Sequence, residues 1–489
     1  MSARARGLIV ALLALIVVRL WIMPMGSSFA MDETGTFWNV KDGFATMLDR
    51  YRQWPSISVF YGALASVAYW LGGARELVLR LPSLVAALLA LFLLYRLGRR
   101  LFGSDAALAA AVVFACLDRV VYAAADARPY ALVLAAAAGS TLALVAWLDT
   151  GRWLYAAVYG LTAAMVPHAQ YLAGVILLVH ALYLVVRFRE ASQASLAQVA
   201  LAGAIFAALT APLLPAIRAL GGNPAAHSYA PRPGVGDVAF QLLPPLPLAV
   251  GAVAIWLAWA ACKRLKWTPG RLAESTVILM LGMLLIPTLL FFEAAYLTTA
   301  RIFLPHYLIA TGLGFALLAG WALGGIQPPR GRAVAIAGIA ALNLAALGPF
   351  DRLWTSHSWE DWRGAMAAVR QASGGERLTT IFVSPFIESA TQFRPEAGRG
   401  FPDFLLSPLA CYPAPGPVIP VARVFDDAER AYLERSVRPQ VTAETRFVLV
   451  KYVGHPPDEA WFIGRFSGYS AKRLGDFGGV RAILFERIR

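Results

Sequence analysis

Residues 7–38 read GLIVALLALIVVRLWIMPMGSSFAMDETGTFW, and this stretch decides the fold class. Its first part, 7–25, is apolar and long enough to cross a bilayer, and Arg4 and Arg6 precede it. Loop charge therefore puts the N-terminus in the cytoplasm and Asp32-Glu33 on the far face. The segment lacks a small-residue cleavage site and many apolar runs follow it, so it reads as a retained signal anchor rather than a secretory leader. Two adjacent acids at a membrane rim admit two readings. One is capping of an interfacial helix, where Asp is favoured. The other is deprotonation of an incoming hydroxyl, which points to chemistry on lipid-carried substrates. Acids are scarce elsewhere in the apolar part, and that favours chemistry.

The whole chain agrees with the first segment. Of 489 residues, 59% are hydrophobic and only 15% charged, which excludes an ordinary soluble domain and predicts a polytopic α-helical membrane protein. The net charge of +14 lies largely in short loops between apolar runs, so it sets topology and attracts anionic lipid rather than nucleic acid. The three cysteines, Cys116, Cys262 and Cys411, have neither metal-ligand nor disulfide spacing.

Further apolar segments fall at 56–73, 81–97, 105–125, 130–148, 152–167, 170–187, 196–217, 238–261, 273–293, 301–326 and 332–348. Basic clusters separate several of them: Arg96/Arg99/Arg100, Arg152, Arg187/Arg189, Lys263/Arg264/Lys266/Arg271 and Arg330/Arg332. Keeping all of these in the cytoplasm requires that 56–73, short and glycine-rich after Pro55, lie in the interface without crossing. About eleven crossings then remain. Residues 1–349 form the membrane part. From 350 to 489 charge becomes frequent, and β-like runs at Thr380–Ser384, Phe447–Val453 and Val480–Phe485 alternate with helical candidates at Trp359–Gln371 and Asp426–Ser436. This predicts an extracytoplasmic α/β domain of roughly 140 residues.

On this topology the segments MDETGTFW (31–38), DARPY (126–130), PHAQY (167–171), NPAAHSYAPRP (223–233) and YLTTARIFLPHY (296–307) share the outer face. Asp126 and Pro129 suit the start of the next helix. Arg128 defies the positive-inside trend, and a guanidinium beside a helix N-terminus is a good phosphate receptor; Tyr130 follows it. His168 and Tyr171 share a helical face if the helix continues. Arg301 is a second phosphate candidate, with Thr298, Thr299, His306 and Tyr307 around it. His227, Tyr229 and Arg232 form a weaker group. No nucleotide-binding loop, zinc-ligand spacing or nucleophile elbow is present, which argues against a nucleotide-driven pump.

In order and spacing, MDET after the first span, ARPYAL (127–132), PHAQY, RIFLPHYL (301–308) and HSWEDWRGAMAAVR (357–370) resemble the GT-C-fold glycosyltransferases. The resemblance is to the broad group of protein O-mannosyltransferases, the lipid A aminoarabinose transferase and Rgt-type lipopolysaccharide glycosyltransferases. It implies a polyprenyl-phosphate sugar donor, an acceptor that is lipid, glycan or protein, and an outer-face site in the bacterial inner membrane. It further implies Asp32 as general base, Glu33 and Asp126 beside it in the catalytic set, and Arg128 and Arg301 on the leaving phosphate. The group also allows a divalent cation near the site. The rival reading is a transporter or flippase of lipid-linked saccharides, against which stand the one-sided acids and the lack of inverted-repeat signs.

Overall fold

The computed structural model describes residues 1–53, 58–190, 192–222, 230–243, 251, 266–299, 301–345, 356–393 and 401–488. The chain divides into two compact units. One comprises 1–25, 48–67 and 80–355, and the other 26–47, 68–79 and 356–489.

The first unit is helical. Among the described residues six helices are long and apolar enough to cross a membrane: Ala3–Gly26, Glu76–Phe102, Tyr130–Thr150, Tyr171–Glu190, Leu196–Ala219 and Glu274–Leu297. A seventh arises if Ser104–Cys116 and Asp118–Ala124 are one span bent by 70°. The protein is thus a multi-pass membrane protein. The other expected crossings correspond to shorter helices, Trp153–Ala169, Thr311–Gly324 and Pro329–Ala345, and to 238–261, most of which lies outside the described residues. The segment 56–73 forms the helix Val59–Gly72 of 14 residues. At 1.5 Å per residue it is about 21 Å long, short of a ~30 Å hydrocarbon core.

Two expected spans are interrupted. The 105–125 run breaks at Leu117, whose extended backbone ends one helix and starts the next. Arg119 in the second piece donates to the Thr311 hydroxyl and the Gln241 carbonyl. The 301–326 run is helical only from Thr311. Residues 301–304 have no regular structure and 305–310 form turns; Pro305 lacks an N–H and disfavours helix in the residue before it.

The core of this unit is built from small residues and a few large ones. Ala106 to Cys116 are all buried. Gly320 and Gly324, spaced as a G-x-x-x-G pair on the helix Thr311–Gly324, sit where a Cβ would lie only 2.5 Å from the Cβ atoms of Ala110 and Ala106. Trp21 donates to the Ala115 carbonyl at 3.1 Å, and Trp147 to Gln198 at 3.0 Å, so neither buried indole leaves its N–H unpaired. Loop charges also gather: Arg6 and Arg332 converge on Asp105 at 2.9 and 3.0 Å, and Arg100 and Arg187 on Asp149 at 2.8 and 2.7 Å.

The second unit is α/β. Its sheet has five strands, β1 (Thr379–Val383), β2 (Val418–Val421), β3 (Arg446–Tyr452), β4 (Tyr469–Arg473) and β5 (Val480–Arg487), in the order β2-β1-β3-β5-β4. β1 is parallel to β2 and β3, and β5 is antiparallel to β3 and β4. Ile381, Phe447, Leu449, Ile483 and Phe485 pack one face against Leu433, Val437, Val441 and Phe462. The three expected strands and both expected helices are present, within three residues at their ends except that the second divides into Asp427–Tyr432 and Leu433–Val437.

Candidate functional site

The second unit carries Asp32 and Glu33 in the first turn of the acidic helix, Met31–Val40. The two acids do different things. Glu33 is fully buried, and its Oε2 accepts the Ala30 N–H at 2.8 Å. It therefore closes the helix N-terminus, where a carboxylate also complements the helix dipole. Asp32, one residue earlier, is half-buried, and the capping expected of the pair is made by Glu33.

The approach to this helix is held by the C-terminal part of the same unit. Ser27 accepts the His357 N–H at 3.0 Å and Ser28 the Arg363 N–H at 3.1 Å. The Arg363 guanidinium donates to the Gly26 carbonyl and pairs with Glu76, both at 3.0 Å. The Phe29 N–H donates to the Tyr412 hydroxyl at 2.9 Å, which in turn donates to Glu76 at 2.8 Å. The Met31 N–H donates to Glu360 at 2.7 Å. The Thr34 and Ser407 hydroxyls bond at 2.9 Å, and Gly35 lets Phe404 approach to 3.0 Å of where a Cβ would stand.

In the first unit the head of the helix Tyr130–Thr150 gathers four of the expected residues. The Arg128 guanidinium lies 6.0 Å from the Tyr130 ring centroid, Tyr130 is 5.2 Å from His306, and His306 is 4.4 Å from Tyr307. A cation beside the first of three successive rings at a helix N-terminus suits an oxyanion with an apolar attachment. Asp126 is fully buried nearby in sequence. It does not cap the helix, because Pro129 occupies the N-cap position one residue earlier than expected and no side chain caps it. His306 lies in the turn at 305–310 rather than one turn into a span.

His168 and Tyr171 do not share a helical face. The preceding helix ends at Ala169, Gln170 is extended, and a 3₁₀ turn starts at Tyr171. Pro167 in the last turn already removes one backbone donor. His168 instead bonds the Leu209 carbonyl at 2.9 Å. Arg301 donates to the Ala295 carbonyl in the last turn of Glu274–Leu297, so it serves that helix's C-terminus as well as any ligand. Of the weaker group, His227 and Tyr229 lie outside the described residues.

Several contributors went unseen in the sequence. Ser58 caps the short apolar helix and donates to the His168 carbonyl at 2.7 Å. Tyr61 and Ser83 bond at 2.8 Å, and Ser83 donates to the Arg128 carbonyl at 3.1 Å. The start of that helix is therefore tied to both the PHAQY and DARPY loops. Glu360, also buried, stands between Trp359 and Trp362 in sequence. An acid flanked by two tryptophans was the available signal.

Residues 58–215 match the family profile described as dolichyl-phosphate-mannose-protein mannosyltransferase. No curated protein matches the sequence. The fold is similar to crystal structures of ArnT from Cupriavidus metallidurans. The apo form has 14% identity and a TM-score of 0.58, with 99% of this chain and 98% of that one covered. The form bound to undecaprenyl phosphate has a TM-score of 0.57 at the same identity and coverage. A cryo-EM structure of the arabinofuranosyltransferase AftD from Mycobacteria aligns over 100% of this chain but 40% of its own, with 14% identity and a TM-score of 0.50. Over nearly its whole length the chain is similar in fold to the ArnT structures, and its residues 58–215 match the dolichyl-phosphate-mannose-protein mannosyltransferase profile.

Proposed function

We propose that this GT-C-fold glycosyltransferase takes a sugar from a polyprenyl-phosphate carrier and passes it, with inversion, to an acceptor hydroxyl at the outer face of the bacterial inner membrane. The observation that carries this reading is the Arg128-Tyr130-His306-Tyr307 cluster at the head of a membrane-long helix. It offers a cation and a helix dipole to a phosphate and aromatic faces to the lipid or sugar attached to it. A similar fold binding undecaprenyl phosphate supports the same donor class.

In this mechanism the Asp32 carboxylate takes the acceptor's hydroxyl proton while that oxygen attacks the anomeric carbon. The bond from that carbon to the phosphate oxygen breaks, and its electron pair leaves with polyprenyl phosphate. A single displacement inverts the anomeric configuration. Arg128 meets the charge that grows on the departing phosphate, the term that usually contributes most in such transfers. Arg301 adds to it with the guanidinium nitrogens not committed to Ala295. Tyr130, His306, Tyr307, His168 and Tyr171 line the donor side, Asp126 supports the catalytic set, and the short helix Val59–Gly72 frames lipid access. The domain from about 350 recognises the acceptor.

Purified protein is incubated with radiolabelled undecaprenyl-phosphate hexose and pentose donors and total membrane extract as acceptor. Wild type transfers label, and Asp32→Asn does so about 10²- to 10⁴-fold more slowly, the usual contribution of a general base. Equal transfer by both proteins would remove Asp32 from the chemistry. Movement of the donor across vesicles without transfer would favour the flippase reading.

A further inference from the structure

We propose that Glu360 is a positioning residue for the acidic pair: it grips the first backbone N–H of the acidic helix and thereby sets where the Asp32 carboxylate stands. This rests on Asp32 being the base. The first four N–H groups of a helix have no partner within it. Here the Met31 N–H, at the first helical position, is taken by Glu360 Oε2 at 2.7 Å, and the same oxygen accepts the Trp362 indole N–H at 2.8 Å. Oε1 receives the Tyr452 hydroxyl at 3.3 Å. The Trp362 ring is fully buried and Tyr452 belongs to β3 of the sheet, so the carboxyl is fixed from both sides before it meets the helix.

Glu33 Oε2 turns back to the Ala30 N–H, one residue before the helix starts. The other contacts to residues 26–29 lie before the first turn, and Thr34–Ser407 and Gly35–Phe404 hold the helix further along. Glu360 is the contact at the first helical N–H, and through Tyr452 it ties that end of the helix to the sheet. A displacement of about 1 Å at a reacting group can lower a rate on the order of 100-fold, so this one bond has leverage on the reaction.

The charged and titratable groups facing Glu360 are Asp32 from the acidic helix and Tyr452 from β3. Burial first, and the Asp32 charge after several hydrogen bonds that act the other way, raise the Glu360 carboxyl to about 7. Its neutral form therefore dominates in mild acid. As pH rises through that value a negative charge develops beside the base, and a hydroxyl proton is drawn more strongly towards the pair.

The test compares wild type, Glu360→Gln, Glu360→Ala and Asp32→Asn as full-length proteins, reading kcat and donor KM with radiolabelled undecaprenyl-phosphate hexose and pentose and membrane extract, from pH 5.5 to 8.5. Glu360→Ala is expected to lower kcat about 10- to 100-fold with donor KM within about twofold. Glu360→Gln keeps an acceptor for the Met31 N–H, so it should restore most of kcat while losing the limb near pH 7 that wild type shows. Should Glu360→Ala not fold, Glu360→Gln decides alone: retention of the wild-type limb overturns the proposal. Folded Glu360→Ala turning over at the wild-type rate, or raising KM with kcat intact, also overturns it. If Asp32→Asn is fully active, the base assignment itself has failed; if only the Glu360 variants are silent, the positioning role alone has failed.

Discussion

Asp32 and Glu33 are neighbours that the helix sends in different directions, because residues i and i+1 lie about 100° apart around a 3.6-residue turn. The pair was visible in the sequence; its division into one cap and one candidate base was not, since adjacency carries no information on which side chain folds back. Glu33→Ala should cost about 1 kcal/mol of stability through the lost cap, and Glu33→Gln much less, as read by thermal unfolding. Glu360 adds a pH dependence with a definite sign. Its carboxyl binds a proton more tightly folded (about 7) than unfolded (4.5), so the stability it contributes is fully present below pH 4.5 and is lost as pH rises through 7. The melting temperature of wild type should fall across that window, and Glu360→Gln should flatten the fall. Arg301 shows the opposite kind of miss: an arginine at an outer helix end reads as a ligand receptor, yet part of its guanidinium answers an orphan carbonyl of the helix before it.

Helices and strands were legible to different degrees. β1, β3 and β5 stood out because β-branched and aromatic residues fill short runs in a charged context. The long apolar helices stood out by composition alone. Their interruptions did not. Pro305 was a readable breaker, but the bend at Leu117 has no Gly or Pro to announce it, and the residues that Arg119 bonds just after it, Thr311 and Gln241, are distant in sequence. The helix Thr311–Gly324 offers a test at this scale. Its Gly320 leaves no room for a side chain against Ala106 and Ala110. Gly320→Val should overpack that contact and destabilise the unit by about 1–3 kcal/mol, whereas Gly338→Ala, inside the helix Pro329–Ala345 with nothing within 4 Å, should stabilise it by up to about 1 kcal/mol in the same denaturation series.

At the level of the whole chain, the fold class followed from loop charge and apolar length. The loop-charge topology makes a direct prediction: a cysteine placed at Arg99 should resist an impermeant maleimide added outside intact cells, and labelling there would require a different count of crossings. What composition could not show is that the unit containing the β-sheet also contains residues 26–47 and 68–79, since no local pattern links an N-terminal helix to a distant sheet. That membership has a consequence for biogenesis. Met31 leaves the ribosome 329 residues before the carboxylate that receives its N–H, a delay of roughly 15–65 s at ordinary synthesis rates. During that interval the acidic helix has no docking partner from the C-terminal stretch. A nascent chain stalled before residue 356 should therefore leave residues 26–47 open to protease, and protection should appear only after the last strands have been translated.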